Sequence, residues 1–300
     1  SSVALQQSLR NLDAAYKSFF KGIGGYPKFK NKDDRQSFRL VNSGFTFKNG
    51  KVYIAKSSEP LRIKLSRDID LTKINSITIS KDCAGRYFVS IQGEKDIKQL
   101  PKNDNKIGID LGLTHFAITS DGVKFDNKKH TKKYEVKLAK YQKRLSKKTK
   151  GSSNRYKAKL KVARIHAKIA DCRKDYLHKL STKLINENQV ICLEDLAVKN
   201  MVKNRKLSKA ISDVSWGMFN NMLTYKADWY GRDLVKIDRW YPSSKTCSSC
   251  GHLHAKMPLN IRKFSCESCS EILDRDINAA KNVLAVGTTV LACGDTAIGV

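Results

Sequence analysis

The chain is poor in acid and has no long apolar run. Its 300 residues carry 28 Asp and Glu against 58 Lys and Arg, a formal charge of +30 at pH 7. That imbalance disfavours cationic partners and calls for a polyanion whose phosphates neutralise it, with an affinity that falls steeply as salt rises. No stretch of 18 or more apolar residues occurs, so no spanning helix is expected and a membrane surface remains only as a competing polyanion. Residues 1–20 are amphipathic and polar, without the basic segment and apolar run of a secretory leader. The expected setting is therefore a reducing compartment, where thiols are read as metal ligands before disulfides. There is no internal repeat and no long low-complexity tract. Length and a hydrophobic content of 40% allow two or three domains with real cores.

Against these absences stands a doubled Cys-x2-Cys. Cys247 and Cys250 form one pair, Cys266 and Cys269 the other, with fifteen residues between them, the spacing of a zinc ribbon. Four thiolates close a tetrahedral shell, so a Zn²⁺ held here is structural; a catalytic zinc keeps one position open. The competing reading, two disulfides or buried apolar thiols, fits the spacing less well. Cys83, Cys172, Cys192 and Cys293 are isolated, and Cys192, inside the run Val190–Leu193, reads as core.

Periodicity organises the rest. Val3–Phe20 has helical spacing and stops at Gly22 and the Gly24-Gly25 pair. After the basic segment Tyr26–Lys32, short strands are expected at Ser37–Val41, Phe45–Lys48, Val52–Ala55, Leu61–Leu65, Ile74–Ser80 and Arg86–Gln92. With turns such as Asn49-Gly50 between them, they suggest a small antiparallel β-barrel. A polar linker covers Gly93–Asn105. Lys106–Leu111, Thr114–Thr119 and Val123–Phe125 then read as a three-stranded meander. Lys132–Leu145 and Arg155–Asn186 form a lysine-rich helical hairpin broken at Gly151-Ser152-Ser153-Asn154. A buried strand at Gln189–Glu194, helices across Leu207–Tyr230, a strand at Leu234–Asp238, the cysteine module and a helix from Asp274 to Val286 follow. The tail from Gly287 shows no pattern.

Three carboxylates sit where apolar structure should exclude charge. Asp110 lies within Ile107-Gly108-Ile109-Asp110-Leu111-Gly112, Glu194 ends Val190-Ile191-Cys192-Leu193, and Asp276 belongs to the opening turn of the last helix. Burying an unpaired carboxylate is costly, so such groups have a cation or hydrogen-bond donors to serve. Together they suit two Mg²⁺ ions, or Mn²⁺, acting on a phosphodiester, because magnesium takes hard oxygen ligands and completes its shell with substrate phosphates. Singly, each has a plain structural explanation: a bulge at Asp110, a solvated strand end at Glu194, a helix cap at Asp274. A meander bearing Asp, a later strand bearing Glu and a C-terminal helix bearing Asp follow the order of an RNase H-like nuclease core.

Five ordered blocks carry a resemblance: GIDLGLTHFAITSDG (Gly108–Gly122), ICLEDLAVKNM (Ile191–Met201), YPSSKTCSSCG (Tyr241–Gly251), FSCESC (Phe264–Cys269) and DRDINAAKNVL (Asp274–Leu284). The chain resembles the TnpB family of transposon-encoded proteins, also known as OrfB transposases, which are related to type V CRISPR effector nucleases. The likeness runs from Ala4 to Leu284. It implies an RNA-guided DNA endonuclease in which a guide RNA from the transposon end pairs with target DNA and a RuvC-type site cuts. By position it makes Asp110, Glu194 and Asp276 the catalytic, Mg²⁺-binding acids, and Cys247, Cys250, Cys266 and Cys269 the zinc ligands. Asp274 competes with Asp276, and Asp195 shadows Glu194, although strand alternation turns Asp195 to the other face. Residues 1–25 then read as a remnant of a helical recognition region, 26–100 as a wedge-like barrel, and 101–300 as the nuclease domain with a zinc ribbon inserted at 243–272. The chain opens on Ser where family members have a first barrel strand and more helix, so a shortened N-terminus and an exposed barrel edge are expected.

The fold class expected is thus an α/β RNase H-like (RuvC) nuclease core with an inserted four-cysteine zinc ribbon, after a small antiparallel β-barrel and a helical remnant. Lys143, Arg144, Lys147, Lys148, Arg155 and Lys157, with few acids among them and Tyr141 and Tyr156 interleaved, are expected to hold nucleic-acid backbone, as is Lys245 beside the first cysteine pair. Such contacts suffice where base pairing to a guide reads the sequence. Two other classes share the fold: a nuclease-dead nucleic-acid-binding regulator, which leaves the three acids without a purpose, and a strand-transfer transposase, separable by its joined products.

Overall fold

A computed structural model describes residues 2–31, 35–66, 69–70, 73–258 and 261–294. Lys32 of the basic segment, two residues of the expected zinc-ribbon insertion (259–260) and the end of the expected tail (295–300) lie outside these. The chain forms two compact units, residues 1–96 with 137–167, and residues 97–136 with 168–300.

In the first unit, helix α1 (Ser2–Phe20) is followed by strands β1 (Gln36–Val41), β2 (Phe45–Lys48), β3 (Lys51–Ile54), β4 (Ile74–Lys81) and β5 (Tyr87–Gly93). They pair as an antiparallel sheet β1-β4-β5 and a β2-β3 hairpin. Asn49 and Gly50 both take positive φ, 51° and 70°, as the tight hairpin turn requires. Val3, Leu40, Phe45, Val52, Ile74 and Ile77 make the core. Among the described residues no ladder joins the two sheets into a barrel. The strand expected at Leu61–Leu65 does not form: Leu61 N–H donates to Val52 O at 2.7 Å, after which the segment leaves the ladder. Pro60 brings no donor, and Leu61 and Ile63 meet the core as a loop, so burial alone satisfies their alternation.

Two long helices follow the sequence pattern, α2 (His130–Ser146) and α3 (Ser153–Glu187). The turn between them is held by Arg155, whose Nη1 donates to Leu145 O at 3.1 Å and Lys148 O at 2.9 Å. Lys143, Arg144, Lys147, Lys148 and Lys157 are exposed.

The second unit is built on strands β6 (Lys106–Leu111), β7 (His115–Thr119), β8 (Lys124–Asp126), β9 (Val190–Glu194) and β10 (Asp233–Ile237), in the order β10-β9-β6-β7-β8. The first three form an antiparallel meander, and β9 and β10 run parallel to β6. One face of the sheet, through Ile107, Ile109, Ile191 and Leu193, packs on Leu177, Leu180, Leu184 and Ile185 of α3. Helices α5 (Ser208–Val214) and α6 (Trp216–Tyr230) close that core, and α4 (Val198–Met201) lies at its edge. The other face, through Val190, Cys192, Val235 and Ile237, packs on helix α7 (Arg275–Ala292). A buried sheet covered on both sides explains why β6 and β9 read as apolar runs. Between β10 and α7 lies the cysteine module with its hairpin of β11 (Lys263–Ser265) and β12 (Ile272–Asp274).

Helix α7 continues beyond the expected end at Val286 to Ala292. Gly287, which suggested a stop, instead lets the helix approach the sheet: a Cβ there would stand 2.4 Å from Cys192 Sγ. Val290 and Leu291 then extend the packing. Among the described residues no helix is long and apolar enough to cross a membrane.

Candidate functional site

Strand register brings the first two acids together. Lys106 to Ile109 stand opposite Val190 to Leu193 in parallel, and the same register continued by one residue sets Asp110 beside Glu194 at the carboxyl ends of β6 and β9. Alternation puts both on the face that α7 covers, with Gly108 and Cys192 two residues before them. The helix comes unusually close: a Cβ on Gly108 would lie 2.1 Å from Ala280 O. Asp276, one turn before Ala280, is thereby carried to the same edge.

Electrostatics register the convergence. The Asp110 carboxyl is pushed up from an ordinary 3.8 to about 7, first by burial, then by the negative charges of Glu194 and Asp276; the Arg275 charge and the Leu111 N–H oppose the rise. Ser243 Oγ donates to Glu194 Oε1, and Arg262 Nη1 stands 3.5 Å from Asp276 Oδ1. Three partly buried carboxylates, two of whose charges disfavour ionisation of Asp110, form a hard-oxygen donor set that fits Mg²⁺ or Mn²⁺.

The two neighbours of these acids have other work. Asp274 caps α7, accepting from the N–H groups of Asp276 at 3.0 Å and Ile277 at 3.3 Å, and pairs with Lys124 at 2.6 Å. Those donors hold its carboxyl below the usual range in spite of its burial. Asp195 is ion-paired with Arg239.

The cysteine module matches the expectation from its spacing. The four Sγ atoms lie within 4.8 Å of one another, with Cys247 and Cys269 at 3.7 Å and Cys250 and Cys266 at 3.6 Å. A tetrahedron with zinc–sulfur bonds of about 2.3 Å has edges of about 3.8 Å, so the four thiols fit Zn²⁺ without rearrangement. Backbone N–H groups of Cys269 and Ser268 and the Cys250 thiol help bring the Cys266 thiol down to about 6, favouring the thiolate a metal needs. His252 and His254 pack edge to face, and His254 is buried against Phe264; the four thiols are complete without either.

Sequence reading missed the residues that join the module to the acids. On α7, Arg275, Asn278 and Asn282 form a polar stripe on a buried face whose other residues are Ala279, Ala280, Val283 and Gly287. Asn278 Nδ2 donates to Thr246 O at 2.7 Å, while its Oδ1 accepts from Ser248 N–H at 2.9 Å. Asn282 Nδ2 donates to Ser243 O at 2.8 Å and Thr246 O at 2.6 Å, and Arg275 Nη1 to Pro258 O at 2.9 Å. Ser243, which touches Glu194, is thus fixed by the helix that carries Asp276. The i, i+3, i+7 spacing of Arg275, Asn278 and Asn282 was the available sign. Lys245 is half-buried in this loop, its carbonyl accepting from His254 N–H at 3.1 Å.

The fold and site define an α/β protein with a parallel-strand acid pair, a helix-borne acid against it and a cluster of four thiols. Residues 88–205 match a family model described as "Probable transposase" (OrfB of IS605), and residues 216–283 match the TNB domain of Cas12f1-like proteins. A protein of Streptomyces pristinaespiralis named "Putative RNA-guided DNA endonuclease" is 48% identical over 297 residues, 98% of this chain and 74% of the relative. InsQ of Escherichia coli (strain K12), similarly named, is 33% identical over 311 residues, 98% of this chain and 76% of the relative. Among solved structures, the Cas12f1–sgRNA–target DNA complex has a chain at 16% identity and TM-score 0.46, covering 92% of this chain and 77% of that one. The chain belongs to the TnpB (OrfB) family.

Proposed function

We propose that the protein is an RNA-guided, Mg²⁺-dependent DNA endonuclease, hydrolysing phosphodiesters at Asp110, Glu194 and Asp276. The observation that carries this reading is the convergence of the three acids: the β6–β9 register sets Asp110 beside Glu194, and the Asp110 carboxyl, pushed up to about 7 first by burial, also feels the charges of Glu194 and Asp276. Supporting it are the sheet order β10-β9-β6-β7-β8, with its meander and two parallel strands, which suits an RNase H-like RuvC core, and the names of the two bacterial relatives.

Magnesium bound by these acids would polarise the scissile phosphate and support the attacking water and the leaving oxygen. Asp110 takes up its ligand role by giving up its proton. Ser243 orients the Glu194 carboxylate, and the helix cap made by Asp274 aims Asp276. The thiol cluster, holding Zn²⁺, fixes the loop from which Ser243 and Arg262 reach the acids. A guide RNA drawn from the transposon end, pairing with target DNA, would select the site, and the exposed lysines and arginine of α2, the turn after it and α3 would hold backbone phosphates. The reading places the protein in the prokaryotic cytoplasm, at the nucleoid when bound to DNA.

The test is incubation of the protein, with RNA co-expressed from its own transposon end, with guide-matched and unmatched DNA, beside Asp110→Ala and Glu194→Ala. Cleavage that requires Mg²⁺, a match and both acids is expected. Joined rather than cut products would mark strand transfer, and RNA binding without cleavage a regulator.

A further inference from the structure

Trp240 is 84% exposed, on the loop that leaves β10 toward the acids. The loop around it is pinned. Trp240 N–H donates to Asp238 Oδ1 at 2.6 Å and Tyr241 N–H to Asp238 O at 3.2 Å. Arg239 is paired with Asp195, the residue after Glu194, and Tyr241 packs beside the core of Val190, Cys192 and Val235. Three residues on, Ser243 donates to Glu194 and is clamped by Asn282. A large flat ring is thus held in water by a fixed loop, within three residues of a group that touches the candidate active site.

We propose that Trp240 is a positioning residue that stacks on an unpaired nucleobase of the strand lying across the carboxylates. The inference rests on the nuclease reading and adds a substrate feature to it: the strand enters single-stranded, with one base held on the indole. The surroundings favour a base over an apolar protein partner. Asp238 and Arg239 precede the ring, so the loop offers an aromatic face flanked by charge. A stacked base needs only that face, and its flanking phosphates suit a chain of net charge +30. Stacking also tolerates any base, as cleavage directed by a guide must.

Two measurements on the complex with co-expressed RNA test this. The first is tryptophan fluorescence without Mg²⁺ during titration with single-stranded oligothymidylate, compared between wild type and Trp240→Phe. The part of the emission that Trp240→Phe lacks should be quenched by the oligonucleotide and unaffected by an abasic strand of equal length. No quenching, or equal quenching by the abasic strand, overturns the proposal, whether or not the complex cuts DNA. The second is single-turnover cleavage of guide-matched DNA. Trp240→Ala should cut about tenfold more slowly, Trp240→Phe within about twofold of wild type, and both at an unchanged half-saturating Mg²⁺ concentration. A Trp240→Ala variant as fast as wild type overturns the stacking role and leaves the nuclease reading standing. One that needs more Mg²⁺ assigns the residue to the support of Glu194 and overturns the proposal equally. Failure of wild type to cut any DNA defeats the nuclease reading instead, and the fluorescence result still decides the stacking.

Discussion

The thiol cluster and the carboxylate cluster solve opposite problems with similar means. Four thiols, contributed by two tight turns, lie within 4.8 Å of one another, two of the pairs at 3.6 and 3.7 Å, so an ion held among them would be enclosed by sulfur, with no further position open. Three carboxylates, drawn from two strands and a helix far apart in sequence, do not close among themselves: burial and the charges of Glu194 and Asp276 push Asp110 toward protonation, and the set leaves room for substrate oxygens. Among the described residues only the thiols gather ligand atoms within 4.8 Å. A site meant to hold something permanently completes its own shell; a site meant to act leaves part of it to the substrate.

The sharpest way to break the comparison is to remove one ligand from each site. Asp276→Ala should lower guided cleavage by at least about a thousandfold, the several kcal/mol of charge stabilisation a metal site supplies, with thermal stability scarcely changed. Cys266→Ser should release the zinc, read as metal content per chain by atomic spectroscopy, and lower the thermal midpoint together with cleavage, because the loop carrying Ser243 and Arg262 loses its anchor. Gly108→Ala should cost about 3 kcal/mol in denaturant unfolding, since the new methyl meets the Ala280 carbonyl, and should also slow cleavage by shifting Asp110 from Asp276. Gly287→Ala, whose new methyl meets the Cys192 side chain and not backbone, should cost stability with a smaller loss of cleavage.

A fourth outcome concerns pH. Asp110 binds its proton more tightly folded than unfolded, so its contribution to stability is complete below 3.8 and is lost as pH rises through about 7. Metal-free Asp110→Asn should therefore match wild type near pH 3.5 and exceed it by up to about 4 kcal/mol at pH 8, and added Mg²⁺ should narrow the gap. The smallest effect is expected from Asp274→Ala: loss of a cap worth about 1 kcal/mol in thermal unfolding, with cleavage far less affected than in Asp276→Ala. Equal loss of activity in the two would reassign the third acid.

Much of this was legible in the residues because the periodicities are local. Lys106–Leu111 and Phe45–Lys48 fall where the pattern put them, and the paired positive φ of Asn49 and Gly50 is what that dipeptide requires. Leu61–Leu65 misled because alternation reports burial and not pairing: contact with β3 ends after Pro60 faces Tyr53 and Leu61 donates to Val52. Gly287 misled in the other direction: a glycine that reads as a stop serves close packing against Cys192. The preference for Asp276 over Asp274 rested on capping, and the bonds from Asp276 and Ile277 N–H groups to Asp274 agree with it. The Arg275, Asn278 and Asn282 clamp was not legible, because its partners are main-chain carbonyls 14 to 39 positions away that no side-chain pattern marks. Nor was the inward duty of Arg155, which charge alone made indistinguishable from its neighbours.

Asp274 is at once the last residue of the cysteine module's hairpin and the cap of the helix bearing Asp276. With the clamps of Asn278 and Asn282, it links the thiol cluster to the acids. An oxidant that joins two of the four thiols, or scarcity of the metal they hold, would disarm the acids without touching them, so the protein's capacity to cut would track the redox balance and zinc supply of its cell.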